Sequence, residues 1–86
     1  MSVVMEIISA VSGMSSQIDQ EMAQLNAYKG QLDKVTKQVQ EVLGDSQQES
    51  AKQMIQRLQQ TQSKVDESLV RLQQAKDRLQ QAQLVL

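Results

Sequence analysis

Two apolar series of seven-residue period, separated by a single break at Gly44, constrain this 86-residue chain more than any other feature. The first runs Val4, Ile7, Val11, Met14, Ile18, Leu25, Tyr28, Leu32, Val35, Val39 and Val42, in alternating steps of three and four, with only Glu21 interrupting it. The second starts at Ala51 and runs Met54, Leu58, Thr61, Val65, Ser68, Leu72, Ala75, Leu79, Ala82 and Leu86. Continuing the first series would place Ser46, Gln53 and Gln60 at its next first positions, all polar, so the two are out of phase. A period of this kind marks amphipathic helices. Two out-of-phase helices of similar length predict an all-α fold, a two-helix antiparallel hairpin of coiled-coil type that assembles into a four-helix bundle.

The chain is one small domain, with helix one over about residues 3 to 43, a turn at 44 and 45, and helix two over about 46 to 86. Each arm should be about 60 Å long at a rise of about 1.5 Å per residue. The turn motif is Val42, Gly44, Ser46 and Glu49: a left-handed glycine closing helix one, and an S-x-x-E capping box starting helix two. Asp45 with Gln48 offers the same box one residue earlier. Gly13 and Gly30 fall on the outer face of helix one, either tolerated there or marking a close neighbouring backbone. Gly13 with Ser12, Ser15 and Ser16 predicts fraying at the N-terminal end.

Core positions are expected at Ile18, Leu25, Leu32, Leu58, Val65, Leu72 and Leu79. The fourth positions of helix two are small or hydroxylated, so a lone hairpin fills its seam poorly and calls for a partner. Ile8, Met22, Ile55 and Leu69 sit one residue past the fourth position and widen the stripe. Together with Met14 and Leu84 they form the expected partner interface. Leu43 widens helix one in the same way, and Val70 and Val85 add apolar surface toward the C-terminus. Glu21 is read either as leaving the seam while Met22 turns in, or as a register device paired with Lys64 or Arg57. Tyr28 is expected in the core with its hydroxyl at the edge.

Composition argues against other classes. Nine basic and ten acidic residues leave a net charge of −1, with no nucleic-acid footprint and no polybasic membrane patch. Without His or Cys, and with carboxylates such as Asp33 and Glu41 on different faces, no catalytic or metal site is expected and no cofactor is implied. Eighteen glutamines and no proline suit long, exposed helices. The apolar opening from Val3 to Val11 contains Glu6 and lacks the basic start of a secretory signal. Membrane insertion is therefore not expected, and export would need a route that accepts proteins without a cleavable signal.

A small cysteine-free protein built as two long helices around a central turn resembles the WXG family of bacterial type VII secretion proteins. Where that family has Trp-x-Gly, this chain reads Val42-Leu43-Gly44, and the family's small residue two places on is matched by Ser46. Ser50 stands where the family has an aromatic, and helix two carries no Tyr for the Tyr-x-x-x-acid export signal. These departures point toward the small helical accessory proteins that bind the N-terminal helical domain of LXG-type toxins. The resemblance implies a non-enzymatic interaction protein of the bacterial cytoplasm, itself exported or not. It would form a homodimer, or a heterocomplex with a helical toxin domain or a second small helical protein, as export partner or chaperone. The alternative is a hairpin chaperone or structural component of another secretion machine, such as type III.

Overall fold

The computed structural model describes residues 2–86 and contains two helices, α1 (Val3–Leu43) and α2 (Glu49–Leu84), packed side by side as a hairpin. The rod measures 66 × 16 × 15 Å, with a radius of gyration of 19.3 Å against about 12 Å for a compact chain of this length. Among the described residues no large side chain is completely sealed. Val11, Leu32, Thr36, Ala51 and Val65 are the buried residues, and the rest of the core is half-buried.

The turn differs from the expected one in two respects. Gly44 adopts φ −58° and ψ −32°, a right-handed conformation, so left-handed freedom is not why glycine stands there. Its N–H donates to the Gln40 carbonyl at 2.8 Å, and a Cβ at this position would collide with that same oxygen. Glycine is needed for close approach. The capping box does not form either: Ser46 Oγ accepts the N–H of Gln48 at 3.2 Å, a local turn that spends the hydroxyl before any helix begins. Helix α2 therefore starts at Glu49 rather than at 46, with Gln48 at its N-cap and no side-chain cap. Glu49 in the first turn is well placed to favour the positive end of the helix dipole.

The seam is also rotated from the expected one. First-position residues Val11, Ile18, Leu25, Leu32 and Val39 of α1 face Ala51, Leu58, Val65, Leu72 and Leu79 of α2, as anticipated. The second row of contacts, however, comes from one residue past the fourth position. On α1 these are Ile8, Ser15, Met22, Lys29, Thr36 and Leu43, and on α2 Ile55, Gln62, Leu69 and Lys76, all buried or half-buried. At about 100° per residue, that is a rotation of roughly 50° away from the stripe the sequence displays. Ile8, Met22, Ile55 and Leu69 thus close the hairpin itself and do not face outward. The fourth-position residues Ile7, Met14, Tyr28, Val35, Val42 and Met54 stay exposed.

Polar ties explain the rotation. Lys29 pairs with Asp66 at 2.5 Å, Lys76 with Asp19 at 2.7 Å, and Gln62 Nε2 donates to Asp33 Oδ1 at 2.9 Å. Each tie joins a position one past the fourth on one helix to a position one past the first on the other, and all lie along one edge of the seam. Buried Thr36 satisfies its hydroxyl by donating to the Leu32 carbonyl at 2.7 Å, which lets the helices approach without an orphaned donor.

Gly13 and Gly30 have nothing within 4 Å of an added Cβ, so the hairpin brings no backbone close to either. Gly13→Ala or Gly30→Ala should therefore raise stability by about 1 kcal/mol each. Gly44→Ala should lower it by about 1–3 kcal/mol through overlap with the Gln40 carbonyl. Thermal unfolding followed by circular dichroism distinguishes the three.

Candidate functional site

In an antiparallel pair, viewed from one end, one helix winds clockwise along the sequence and the other anticlockwise. Equivalent heptad positions therefore fall on the same side of the rod. The three ties occupy one side, and the fourth positions of both helices occupy the other. Along α1 this second side carries Ile7, Met14, Glu21, Tyr28, Val35 and Val42; along α2 it carries Met54, Thr61, Ser68, Ala75 and Ala82. Large residues line the α1 half and mostly small ones the α2 half. Tyr28 is 49% exposed and Val42 80% exposed, so Tyr28 is not core as expected but part of an open apolar flank.

Two polar rows border the flank, one on each helix, at the positions just before the first. On α1 the row is Gln17, Gln24, Gln31 and Gln38, all exposed. On α2 it is Arg57, Lys64, Arg71 and Arg78, also exposed. Arg71 pairs with Glu67 at 2.7 Å within its own helix, and no other member of the basic row has an ion pair among the described residues. A shallow groove along α2, lined by Met54, Arg57, Leu58 and Thr61, opens on this same side.

The anticipated residues divide cleanly. Leu32 and Val65 are buried, and Ile18, Leu25, Leu58, Leu72 and Leu79 are half-buried, all seven in the hairpin seam. Of the expected partner interface, Met14 lies on the open flank. Leu84 is 87% exposed but on the opposite side of α2. Glu21 is exposed and Met22 half-buried, the arrangement in which the charge leaves the seam and the methionine replaces it. Lys64 and Arg57 lie too far along α2 to meet Glu21 within the hairpin.

Sequence reading missed Lys29, Thr36, Gln62 and Lys76 as seam residues. The signal that could have found them is reciprocal charge: Asp19 opposite Lys76 and Lys29 opposite Asp66 keep one register along the two arms. Ser15 Oγ is buried with no hydrogen-bond partner among the described residues.

The hydrogen bond and charge of Asp66 hold the Lys29 ammonium charged beyond its ordinary pKa of 10.5, with desolvation opposing weakly and Asp33 assisting. A raised lysine contributes stability that is complete below the unfolded-state value and lost as pH climbs through the folded one. The pair is thus silent around neutrality.

Among the described residues no group of three or more His, Cys, Asp or Glu side chains gathers, and no helix is long and apolar enough to cross a membrane. Compared with family models, curated proteins and solved structures, the chain matches none.

Two outcomes follow from this division of faces. Leu25→Asp combined with Leu72→Asp should unfold the hairpin, costing about 3 kcal/mol or more by placing charge in the seam. Tyr28→Glu with Val35→Glu should change the stability of dilute protein by less than about 1 kcal/mol, because the flank is open. Helical ellipticity against denaturant separates them. In a second experiment, the wild-type midpoint should hold from pH 7 to about pH 10 and then fall. In Lys29→Met that alkaline fall should be smaller.

Proposed function

We propose that this chain is a non-enzymatic helical interaction protein that joins a second helical chain through its open apolar flank, acting as an export partner or chaperone in a bacterial type VII secretion system. The observation that carries the reading is that the hairpin, having closed its own seam, still exposes Ile7, Met14, Tyr28, Val35 and Val42 along one side. A row of that length is longer than scattered surface apolar residues produce, and a regular row on a helix fits helix-against-helix recognition.

Surface area supports the same conclusion. The chain exposes 6634 Å², whereas a compact monomer of 9.7 kDa would expose about 5,100 Å². The excess exceeds the roughly 800 Å² per partner that a standard protein interface buries. The secretion assignment draws on layout: two long helices, a short turn, glycine at the place of the family's Trp-x-Gly, and Ser46 two residues on. Export partners and chaperones act by covering helical stripes on a client, and that role needs a face, not a cleft.

The test is the state of the tagged chain in extracts of its own host. Wild type should elute in a complex, and Tyr28→Glu/Val35→Glu should elute as a folded monomer. A fully helical wild-type monomer in the extract would end the proposal. Deleting its gene should lower the amount of a type VII client released to the medium, and undiminished release would remove the secretion assignment.

A further inference from the structure

We infer that the occupant of the open flank is an acidic amphipathic helix of a different protein, laid over α2, with a bulky apolar stripe edged by carboxylates at seven-residue spacing. This rests on the reading of the flank as an interaction face, and it adds the partner's chemistry.

Charge is divided unevenly around the rod. Of nine basic and ten acidic side chains, four cations and one carboxylate fall on the flank and its borders: Arg57, Lys64, Arg71, Arg78 and Glu21. The other five cations and nine carboxylates lie on other faces or in the turn. A chain that is net negative therefore shows one positive side. Its four cations recur every seven residues, about 10.5 Å apart and about 31 Å from first to last. Arg71 shares Glu67, while Arg57, Lys64 and Arg78 have no ion pair among the described residues.

Each cation stands three residues after a fourth position, Met54, Thr61, Ser68 or Ala75, and so about 60° farther round α2, on the outer edge of the flank. In coiled coils that placement borders the seam, and the facing helix supplies the opposite charge. Volume sets the rest of the partner's surface. Thr61, Ser68, Ala75 and Ala82 leave space over α2 that only large apolar side chains fill. The groove between Met54, Leu58 and Thr61 has Arg57 on its lining, so a side chain seated there brings its neighbour's carboxylate to the guanidinium. Glu21, level with Gln74 by the register of the three ties, stands on the α1 half. It repels carboxylates that stray inward and keeps the acidic row over α2.

Other occupants match less of this surface. A second copy presents glutamines along one border and like charges along the other, with Glu21 its single carboxylate on the flank. An anionic bilayer would meet the cations, but the small fourth-position residues of α2 bury little apolar area in it. A nucleic-acid backbone carries charge far more densely than one group per 10 Å and does not fill an apolar stripe.

Synthetic four-heptad helices with leucine at both apolar positions, and glutamate, glutamine or lysine at both bordering positions, serve as probes. By fluorescence anisotropy at about 50 mM salt, the glutamate helix should bind the full chain about tenfold or more tighter than the glutamine helix, with the lysine helix weakest. At about 0.5 M salt the difference should shrink to about threefold or less. Arg57→Gln/Lys64→Gln/Arg78→Gln should remove the preference, and the same three positions changed to Glu should reverse it. Lys34→Glu/Lys37→Glu/Lys52→Glu, an equal charge change on other faces, should leave it in place, with circular dichroism showing all variants as helical as wild type.

Equal affinity for the three probes, or binding of none, would overturn the acidic partner. So would a purified chain that sediments as a dimer, or one that binds anionic vesicles or duplex DNA more tightly than the glutamate helix. If the acidic preference fails but Tyr28→Glu/Val35→Glu still releases the chain from its complex in host extract, the interaction reading stands with a partner of different chemistry. If wild type is also monomeric there, both fall.

Discussion

Two helices in contact can cover only one edge of each other's apolar stripe, and every other property of this chain follows from that limit. A helix needs an apolar arc of at least about 100° to be part of a bundle of more than two. Here the arc is wide enough, but a single neighbour spans only part of it. The result is a rod in which, among the described residues, no large side chain is fully sealed and the most buried is a threonine, Thr36, at 3% exposure. The core is a line rather than a volume.

Given that limit, the chain must choose which edge to close, and polar groups make the choice. Lys29 and Lys76 are poor core residues by type, yet they enter the seam because their stems lie along apolar surface while their ammonium groups reach Asp66 and Asp19 at its edge. Exposed pairs of this kind contribute little stability. Their effect is on orientation: a rotation of either helix toward the displayed stripe would separate all three ties together. Weak contacts can settle a choice between two nearly equal packings even when they add little to the stability of either.

The sequence made the hairpin legible because period and phase survive substitution. The restart of the series at Ala51 could only mean a reversal, and α1 ends at Leu43 where the glycine foretold it. What could not be read was the rotation. First positions serve both possible seams, so Leu25 and Leu72 looked the same in either. The fourth positions looked like core because they are core-like; hydrophobicity marks a residue that wants cover, and does not say which chain supplies it. By hydrophobic pattern alone, Ile8 and Tyr28 therefore fall on each other's sides. At the turn, the S-x-x-E pattern was present but the Ser46 hydroxyl had a nearer donor in Gln48, a competition settled by loop geometry that a motif does not encode.

The mismatch between displayed stripe and occupied seam is itself informative. Were the hairpin the final structure, the apolar residues one past the fourth position would suffice, and Met14, Tyr28, Val35 and Val42 would be free to be polar, as the glutamine-rich remainder of the surface is. Folding inside the chain and the recognition proposed outside it would draw on adjacent parts of one continuous arc, sharing the first positions as a common border. Separate faces would allow either function to be lost without the other. A shared border means that each first-position side chain, Leu25 or Leu72 for example, stabilises the hairpin and would floor the flank for a second chain under the proposed function. On the proposed function, association and folding would be coupled through the same residues, and a partner that covers the flank would also tighten the seam beneath it.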